Sequence, residues 1–363
     1  MKLFERSFLG QEVLKNHMVM APMTRSRAIG NIPNDLMALY YEQRAGAGLI
    51  ITEGTSPSPN GLGYARIPGI FNDKQVEGWK KITKAVHGNG GKIFIQFMHT
   101  GRMSHILNLP EGARILAPSA IRVVVGQMWT DQQGLQDLSM PEAMTVEEIR
   151  ETKNEYISAA KNAMDAGFDG VELHGANGYL LEQFLSPVSN QRTDEYGGSI
   201  QHRCQFVIDI AEGVSKAIGK EKTAIRFSPY GASGDMKPYP EMDATYSYLA
   251  EKLNELDIVY IHLVDHSSMG APEVPLAIKQ AIREKFKNCL ILSGGYNKDT
   301  AEKDLQGGLA DLIAFGKPFI SNPDLVHRFE NGSPLAKPDF STFYTAGEKG
   351  YTDYPSLRVK KEK

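Results

Sequence analysis

Eight apolar segments of strand length recur along the chain, with helix-like segments between them. They cover residues 17–23, 49–52, 92–97, 170–174, 223–227, 258–264, 289–293 and 309–315. Several contain unbroken runs such as L-I-I and L-I-L, which are typical of parallel strands buried on both faces. The sequence therefore predicts a parallel sheet whose successive strands are joined by helices.

The intervening helices have recognisable ends, such as a capping box of Thr145 and Glu148. Their predicted ranges are 35–46, 72–89, 145–167, 200–218, 244–256, 275–286, 299–305 and 325–329. Eight strands alternating with eight helices favour an α/β fold, the (β/α)8 TIM barrel, with a short N-terminal β-hairpin turning at Gly10. An open doubly wound sheet is the alternative, but its G-x-G-x-x-G fingerprint does not follow the first strand.

One connection is much longer than the others. Residues 98–144 separate the third strand from its helix, and the apolar run 121–129 followed by Gly134 predicts a β-hairpin there. Loops of this length are usually lids or binding loops, and this one would lie over the C-terminal face of the barrel. A structural flap that closes a hydrophobic edge is the alternative.

Composition limits the class of protein. With 41% hydrophobic residues in 363, the chain can form a single domain, 1–363, with a large core. The net charge of −3 argues against nucleic-acid and membrane partners, and the basic end, 358–363, is predicted to be a disordered tail. Two isolated cysteines, no N-terminal signal pattern and no long apolar stretch indicate a cytoplasmic protein. The sequence leaves open whether the protein is a monomer or a homodimer.

Polar residues and glycines occur where the predicted strands end. In a barrel these ends converge on one face, where active sites lie. Strands seven and eight end in S-G-G-Y and F-G-K, which suits a phosphate, while Gln96 and Arg226 suit a planar imide that gains negative charge. Flavin mononucleotide, FMN, meets all of these requirements. His174, Asn177 and Tyr179 follow the fourth strand and indicate a substrate site.

A series of longer motifs carries a family resemblance over nearly the whole chain. They are M-A-P-M-T-R-S-R-A at 20–28, I-T-E-G-T at 51–55, Q-F-M-H-T-G-R at 96–102, H-G-A-N-G-Y-L-L-E-Q-F-L-S-P at 174–187, N-Q-R-T-D-E-Y-G-G-S at 190–199, R-F-S-P at 226–229, S-G-G-Y at 293–296, F-G-K-P-F-I-S-N-P-D-L at 315–325 and G-Y-T-D-Y-P at 350–355. In this order they resemble the Old Yellow Enzyme family of FMN-dependent ene-reductases.

The resemblance implies a set of FMN contacts. Thr24 would hydrogen-bond the flavin ring near N5, Gln96 its pyrimidine edge, and Arg226 its N1 and C2 carbonyl. The remaining implied contacts are Pro22, Met23 and Gly54 at the ring edge, Tyr344 on the substrate side, and Gly294, Gly295, Phe315, Gly316 and Lys317 at the phosphate.

The resemblance also implies the reaction. NADPH or NADH reduces the flavin and leaves, and an electron-poor alkene such as an enone, enal, nitroalkene or maleimide then takes the hydride at its β-carbon. His174 and Asn177 would bind the activating oxygen, Tyr179 would protonate the α-carbon from the opposite face, and Tyr64 and Met98 would contact the substrate.

Three positions bear on how this chain compares with the family. Met98 stands where the family often carries tryptophan, which predicts a more adaptable pocket. Lys317 replaces the more common arginine at the phosphate and loses its bidentate fork. Thr24, rather than cysteine, argues against the redox-sensing branch of the family.

Two other functions compete with this interpretation. A metal-dependent barrel hydrolase would require histidines such as H-x-H after the first strand, where A-P-M-T stands instead. A flavin carrier or sensor without turnover is the remaining alternative. The sequence leaves open the physiological alkene, the choice between NADPH and NADH, and the role of Asp265 and His266 after the sixth strand.

Overall fold

The chain folds around a closed barrel of eight parallel strands. The computed structural model describes residues 1–357, so the predicted tail at 358–363 lies outside the described residues. A hairpin of β1 (Ser7–Leu9) and β2 (Glu12–Leu14) precedes the barrel. The barrel strands β3–β5 are Met18–Met20, Leu49–Ile51 and Ile93–Phe97. Four short strands follow outside the barrel, β6–β9: Leu116–Ala117, Gln127–Thr130, Gly134–Asp137 and Glu142–Ala143. The remaining barrel strands, β10–β14, are Gly170–Gly175, Thr223–Phe227, Tyr260–Val264, Cys289–Ser293 and Leu312–Phe315.

The barrel is closed by pairing of β10 with β5, and its strand order follows the sequence. All eight predicted strands are present, and the TIM barrel is confirmed in place of the doubly wound sheet. The N-terminal hairpin is also confirmed. Its Leu9 and Leu14 pack with Val19, Ile51 and other inward-facing apolar residues, so the hairpin closes the N-terminal end of the barrel.

Ten α-helices lie within the described residues. They are α1–α10: Asp35–Gln43, Asp73–Gly88, Val146–Asp165, Leu180–Leu185, Ile200–Ile218, Met242–Glu255, Leu276–Lys285, Lys298–Gln306, Lys317–Ser321 and Leu325–Glu330. The eight predicted helices are confirmed, including the capping box of Thr145 and Glu148. The sequence did not predict α4 and α9. All six residues of α4 are buried, so no polar face marks its helical period.

The long connection after β5 forms the predicted hairpin. Its strands β7 (Gln127–Thr130) and β8 (Gly134–Asp137) are antiparallel, and β6 (Leu116–Ala117) pairs with β9 (Glu142–Ala143). The hairpin begins later than the apolar run suggested, because Val124 and Val125 are exposed loop residues. Met128 and Leu138 pack beside Tyr64, which brings the connection to the C-terminal face of the barrel.

Candidate active site

The C-terminal ends of the barrel strands surround a cavity of about 570 Å³. This size falls within the usual range of ligand and cofactor sites. Most of the residues predicted to contact FMN line it, together with Asn177 from the predicted substrate site. The predicted residues along its wall are Pro22, Met23, Thr24, Asn177, Arg226, Gly294, Gly295, Phe315, Gly316, Lys317 and Tyr344.

Two cations face this cavity without a direct hydrogen bond or salt bridge to an acidic residue among residues 1–357. Arg226 is only 5% exposed, and its guanidinium forms no hydrogen bond or salt bridge with the described residues; its Nε is buried and unpaired. Lys317 is exposed at the other end, and no carboxylate between residues 1 and 357 pairs with it. A buried, unpaired guanidinium is costly. An anionic ligand with charge at both ends, as in the ring and phosphate of FMN, therefore fits the cavity.

The backbone after β13, at the end of the cavity where a phosphate was predicted, requires glycine. Gly294 has a φ of +115°, and a Cβ there would lie 2.0 Å from the carbonyl oxygen of Asp265. Such a contact excludes any side chain, so the loop after β13 presents its backbone to the cavity. This supports the predicted role of Gly294 at the phosphate.

A buried polar chain crosses the barrel interior beside Arg226. Gln96 Nε2 donates to Glu172 Oε1 at 2.7 Å, and Glu172 Oε2 lies 2.9 Å from His262 Nδ1. Burial acts to raise the pKa of Glu172, but His262, Arg226 and Gln96 act to lower it and have the larger combined effect. The pKa of Glu172 is therefore lowered, and its carboxylate is ionised at neutral pH. With its amide N–H2 held by Glu172, the Gln96 amide has a fixed orientation. The motifs alone did not indicate a role for Glu172 or His262.

His174 and Asn177 converge on one point. His174 lies near the end of β10, and Asn177 follows in the left-handed region with a φ of +60°, which asparagine tolerates. The Asn177 N–H donates to Ser228 Oγ at 2.8 Å, which fixes the turn. Asn177 Nδ2 is 3.5 Å from His174 Nε2, a long separation for a hydrogen bond. Both nitrogens are therefore available to a third group, such as a substrate oxygen.

Tyr179 lies beside this pair and contacts Tyr64. Its ring meets the His174 ring edge to face, with centroids 4.9 Å apart, and its hydroxyl is 3.1 Å from the Tyr64 hydroxyl. Burial, followed by the neighbouring Tyr64, raises the pKa of Tyr179 well above its usual value. The phenol is therefore protonated throughout the neutral range. Burial also lowers the pKa of His174 well below its usual value, so that imidazole is neutral.

Glu182 supports the turn that carries these residues. Its carboxylate accepts from the Gly178 N–H at 2.6 Å, from Ser228 at 2.9 Å and from the Tyr246 hydroxyl at 3.2 Å. Gly178 is required there, since a Cβ would lie 2.6 Å from the Ser233 carbonyl oxygen. Burial raises the pKa of Glu182 to about 7.

This raised pKa predicts a pH-dependent stability. Above the ordinary pKa of 4.5 the unfolded chain loses the Glu182 proton, whereas the folded chain keeps it until about pH 7. The folded state therefore binds more protons in this window, and stability falls as pH rises through it. We expect Glu182→Gln to flatten the decrease in melting temperature between pH 5 and pH 8, measured by calorimetry. An unchanged pH dependence in the variant would contradict this assignment.

The C-terminal segment covers one side of the cavity. Arg25 Nη2 donates to the Gly350 carbonyl at 2.7 Å, and Arg27 Nη1 donates to the Phe343 carbonyl at 2.6 Å. The adjacent Tyr344 lines the cavity, and its carbonyl accepts from Arg66 at 2.8 Å. The arginines of the M-T-R-S-R motif thus position Tyr344, a role that the motif alone did not reveal.

Gly54 and Met98 pack against each other, and neither is among the residues that line the cavity. A Cβ on Gly54 would be 2.5 Å from Met98 Sδ, so glycine makes room for the methionine. Met98 is 1% exposed and packs with Leu62 and Ile67, beside Tyr64 and Tyr179, rather than lining the cavity. Its effect on the substrate pocket stays a prediction.

His266 joins the site through Asn177. It begins the loop after β12 and lines the cavity, and its Nε2 is 2.6 Å from Asn177 Oδ1. The preceding Asp265 also lines the cavity, and its carboxylate accepts from the Ser267 and Val274 N–H groups and from Lys279. The position of His266 just after the sixth predicted strand marked it as a possible site residue. Nothing in the sequence indicated that its hydrogen-bond partner is Asn177.

This arrangement of a TIM barrel, an anion-binding cavity and a tyrosine beside two donors defines a flavin-dependent oxidoreductase. The model of the NADH:flavin oxidoreductase / NADH oxidase family matches residues 2–336, and the chain belongs to that family. The resemblance identified from the motifs is confirmed.

Individual relatives are similar over their full length. A probable flavin mononucleotide-dependent alkene reductase of Leishmania infantum is 40% identical over 353 residues, which are 96% of each chain. The solved structure of morphinone reductase in complex with tetrahydroNAD has a TM-score of 0.94 at 40% identity and covers 100% of this chain and 99% of its own. An Old Yellow Enzyme homologue from Zymomonas mobilis has a TM-score of 0.92 at 41% identity, covering 98% and 100%.

Proposed function

We propose that the chain reduces electron-poor alkenes, with His174 and Asn177 binding the activating oxygen and Tyr179 supplying the proton. The reaction class agrees with that of its relatives: the chain is an NAD(P)H-dependent flavin oxidoreductase acting on C=C bonds. The observation that carries the proposed roles is the placement of two donors, 3.5 Å apart, beside a half-buried tyrosine that is protonated at neutral pH.

The cofactor of this reaction is FMN, with NADPH or NADH as reductant. When bound, FMN would supply the hydride chemistry of the reaction, taking reducing equivalents from the nicotinamide for delivery to the alkene β-carbon. We assign Arg226 and Gln96 to its pyrimidine edge, Thr24 to the ring near N5, and Lys317 to its phosphate. The other assigned contacts are Pro22, Met23, Gly54, Gly294, Gly295, Phe315, Gly316 and Tyr344.

His174 and Asn177 act on the oxygen of the substrate. As the β-carbon gains a hydride, negative charge moves to this oxygen, which becomes enolate-like. The neutral His174 ring and the Asn177 amide donate hydrogen bonds that strengthen as the charge develops. They therefore stabilise the transition state more than the ground state, which raises the rate.

Tyr179 completes the reduction by protonating the α-carbon. Its raised pKa keeps the phenol protonated, but makes the phenolate left behind unfavourable. The Tyr179 hydroxyl donates to the Tyr64 hydroxyl at 3.1 Å, so Tyr64 holds the hydroxyl of the acid in place and keeps it protonated until the transfer. Tyr64 thus has a second role beside its proposed contact with substrate.

The whole chain is proposed to form one FMN-binding domain, in which the long connection of residues 98–144 covers the site.

Among residues 1–357 no helix has the length and apolar character needed to cross a bilayer. A cytoplasmic location is supported by the two unpaired cysteines, Cys204 and Cys289. We propose a monomer or a homodimer.

Anaerobic turnover with a panel of alkenes tests the proposed function. NADPH or NADH oxidation is measured with 2-cyclohexenone, a nitroalkene, N-ethylmaleimide and, as control, cyclohexene, which lacks an activating group. We expect consumption of the three activated alkenes, with the saturated product formed mole for mole, and none of cyclohexene. A yellow protein that oxidises nicotinamide but reduces no activated alkene would favour the carrier or sensor instead.

A further inference from the structure

We propose that His266 is a positioning residue that locks the Asn177 amide with its N–H2 group toward the substrate oxygen. This inference rests on the proposed function, because it assigns Asn177 as an oxygen-binding donor. The contact that carries it is the 2.6 Å separation between His266 Nε2 and Asn177 Oδ1.

The chemistry of the two groups fixes the direction of this hydrogen bond. An amide oxygen can only accept, so His266 Nε2 must carry the proton and donate it. Burial, followed by the charge of Arg226, lowers the pKa of His266 to about 4, so the imidazole is neutral at neutral pH. A neutral ring has a single N–H, and the geometry commits it to Asn177. The other nitrogen, Nδ1, is buried and has no partner in the described part of the chain.

The lock matters because an asparagine amide has two nearly isosteric orientations. With Oδ1 on His266, Nδ2 lies on the His174 side, 3.5 Å from His174 Nε2, so both nitrogens are presented together. A flipped amide would present Oδ1 to the enolate-like oxygen and repel it. It would also face the His266 N–H with its own N–H2, and moving the ring proton to Nδ1 to avoid this would leave a buried N–H without an acceptor.

The loop around His266 holds the imidazole in place. Asp265 accepts from the N–H groups of Ser267 at 3.0 Å and Val274 at 3.1 Å, and pairs with Lys279 at 3.0 Å. The Met269 N–H donates to the His266 carbonyl at 2.8 Å. Both sides of His266 are therefore tied by hydrogen bonds, and the ring reaches Asn177 from a fixed backbone.

A double-mutant cycle on the FMN-loaded protein tests the proposal. His266→Leu removes the donor while keeping bulk, and it is measured with Asn177 intact and in an Asn177→Ala background. One readout is the Kd of 4-hydroxybenzaldehyde, whose phenolate imitates an enolate and whose binding is followed by the change in flavin absorbance. The second readout is the rate at which 2-cyclohexenone re-oxidises the reduced protein.

We expect His266→Leu to raise the Kd and lower the rate by about tenfold each with Asn177 present, because the Asn177 donor remains but loses its fixed orientation, which weakens one hydrogen bond. In the Asn177→Ala background the same substitution should change either value less than about twofold, because the group that His266 orients is gone.

His266→Gln, whose amide can still donate, should recover most of the loss. His202→Leu, at an exposed position of α5, is the matched control and should have no effect.

The outcomes separate this inference from the proposed function. Equal losses in both backgrounds, or no loss with Asn177 present, would overturn the role of His266 while the wild-type protein still reduces the enone. If wild-type protein binds the phenolate but is not re-oxidised by any activated alkene, the proposed function fails instead. The cycle on phenolate binding then still decides whether His266 orients Asn177.

Discussion

Tyr179→Phe is expected to slow alkene reduction by about 10²–10⁴-fold, the usual contribution of a positioned general acid. Reduction of the bound flavin by NADPH or NADH should remain within about twofold of wild type, because that half-reaction uses no proton from Tyr179. The aromatic ring stays, so its packing against His174 is kept. Stopped-flow absorbance measures the two half-reactions separately.

A second tyrosine variant provides the control for this result. Tyr248→Phe removes a hydroxyl from a half-buried tyrosine on α6, away from the cavity, and should leave both half-reactions unchanged. A similar loss in both half-reactions of Tyr179→Phe would argue that Tyr179 supports the site rather than acting as the acid.

His174→Ala is expected to lower kcat/KM for an enone by about 10²–10³-fold, the range seen when one donor to a developing oxyanion is removed. Binding of phenolic ligands should weaken as well, since a phenolate uses the same pair of donors. We also expect weaker nicotinamide binding, because the nicotinamide enters the same cavity. Kinetics with 2-cyclohexenone and titration of 4-hydroxybenzaldehyde measure these effects.

The expected pattern differs from that of Tyr179→Phe and so distinguishes the two roles. His174→Ala should affect binding and both half-reactions, whereas Tyr179→Phe should affect only the alkene half-reaction. His202→Ala, an exposed histidine on α5, controls for loss of an imidazole. Unchanged phenolate affinity in His174→Ala would contradict the proposed donor role.

The barrel was predictable because its strands carry a strong local signal. Runs such as those at 223–227 and 289–293 are buried along nearly their whole length, and the structure places strands at those same residues. The inserted hairpin was located but began later than predicted, since exposed Val124 and Val125 extend the apolar run without belonging to a strand. The helix α4 was missed because burial on all sides removes its period.

The candidate site was predictable in part, for a different reason. Motif order and strand ends placed Asn177, Arg226 and Lys317 on one face of the predicted barrel, and all three line the cavity in the structure. The contacts of Glu172 with His262 and of His266 with Asn177 join residues about 90 positions apart, and no spacing in the sequence encodes such pairs. Arg25 and Arg27 likewise bind a segment more than 300 positions away.

A sequential anaerobic stopped-flow experiment tests the central claim, that this site passes reducing equivalents from a nicotinamide through bound FMN to an activated alkene. The purified protein is first mixed with one equivalent of NADPH or NADH and then with 2-cyclohexenone. We predict loss of the flavin absorbance in the first step and its full return in the second, with one cyclohexanone formed per flavin. A colourless protein, or a bleached one that the enone does not re-oxidise, would contradict the claim.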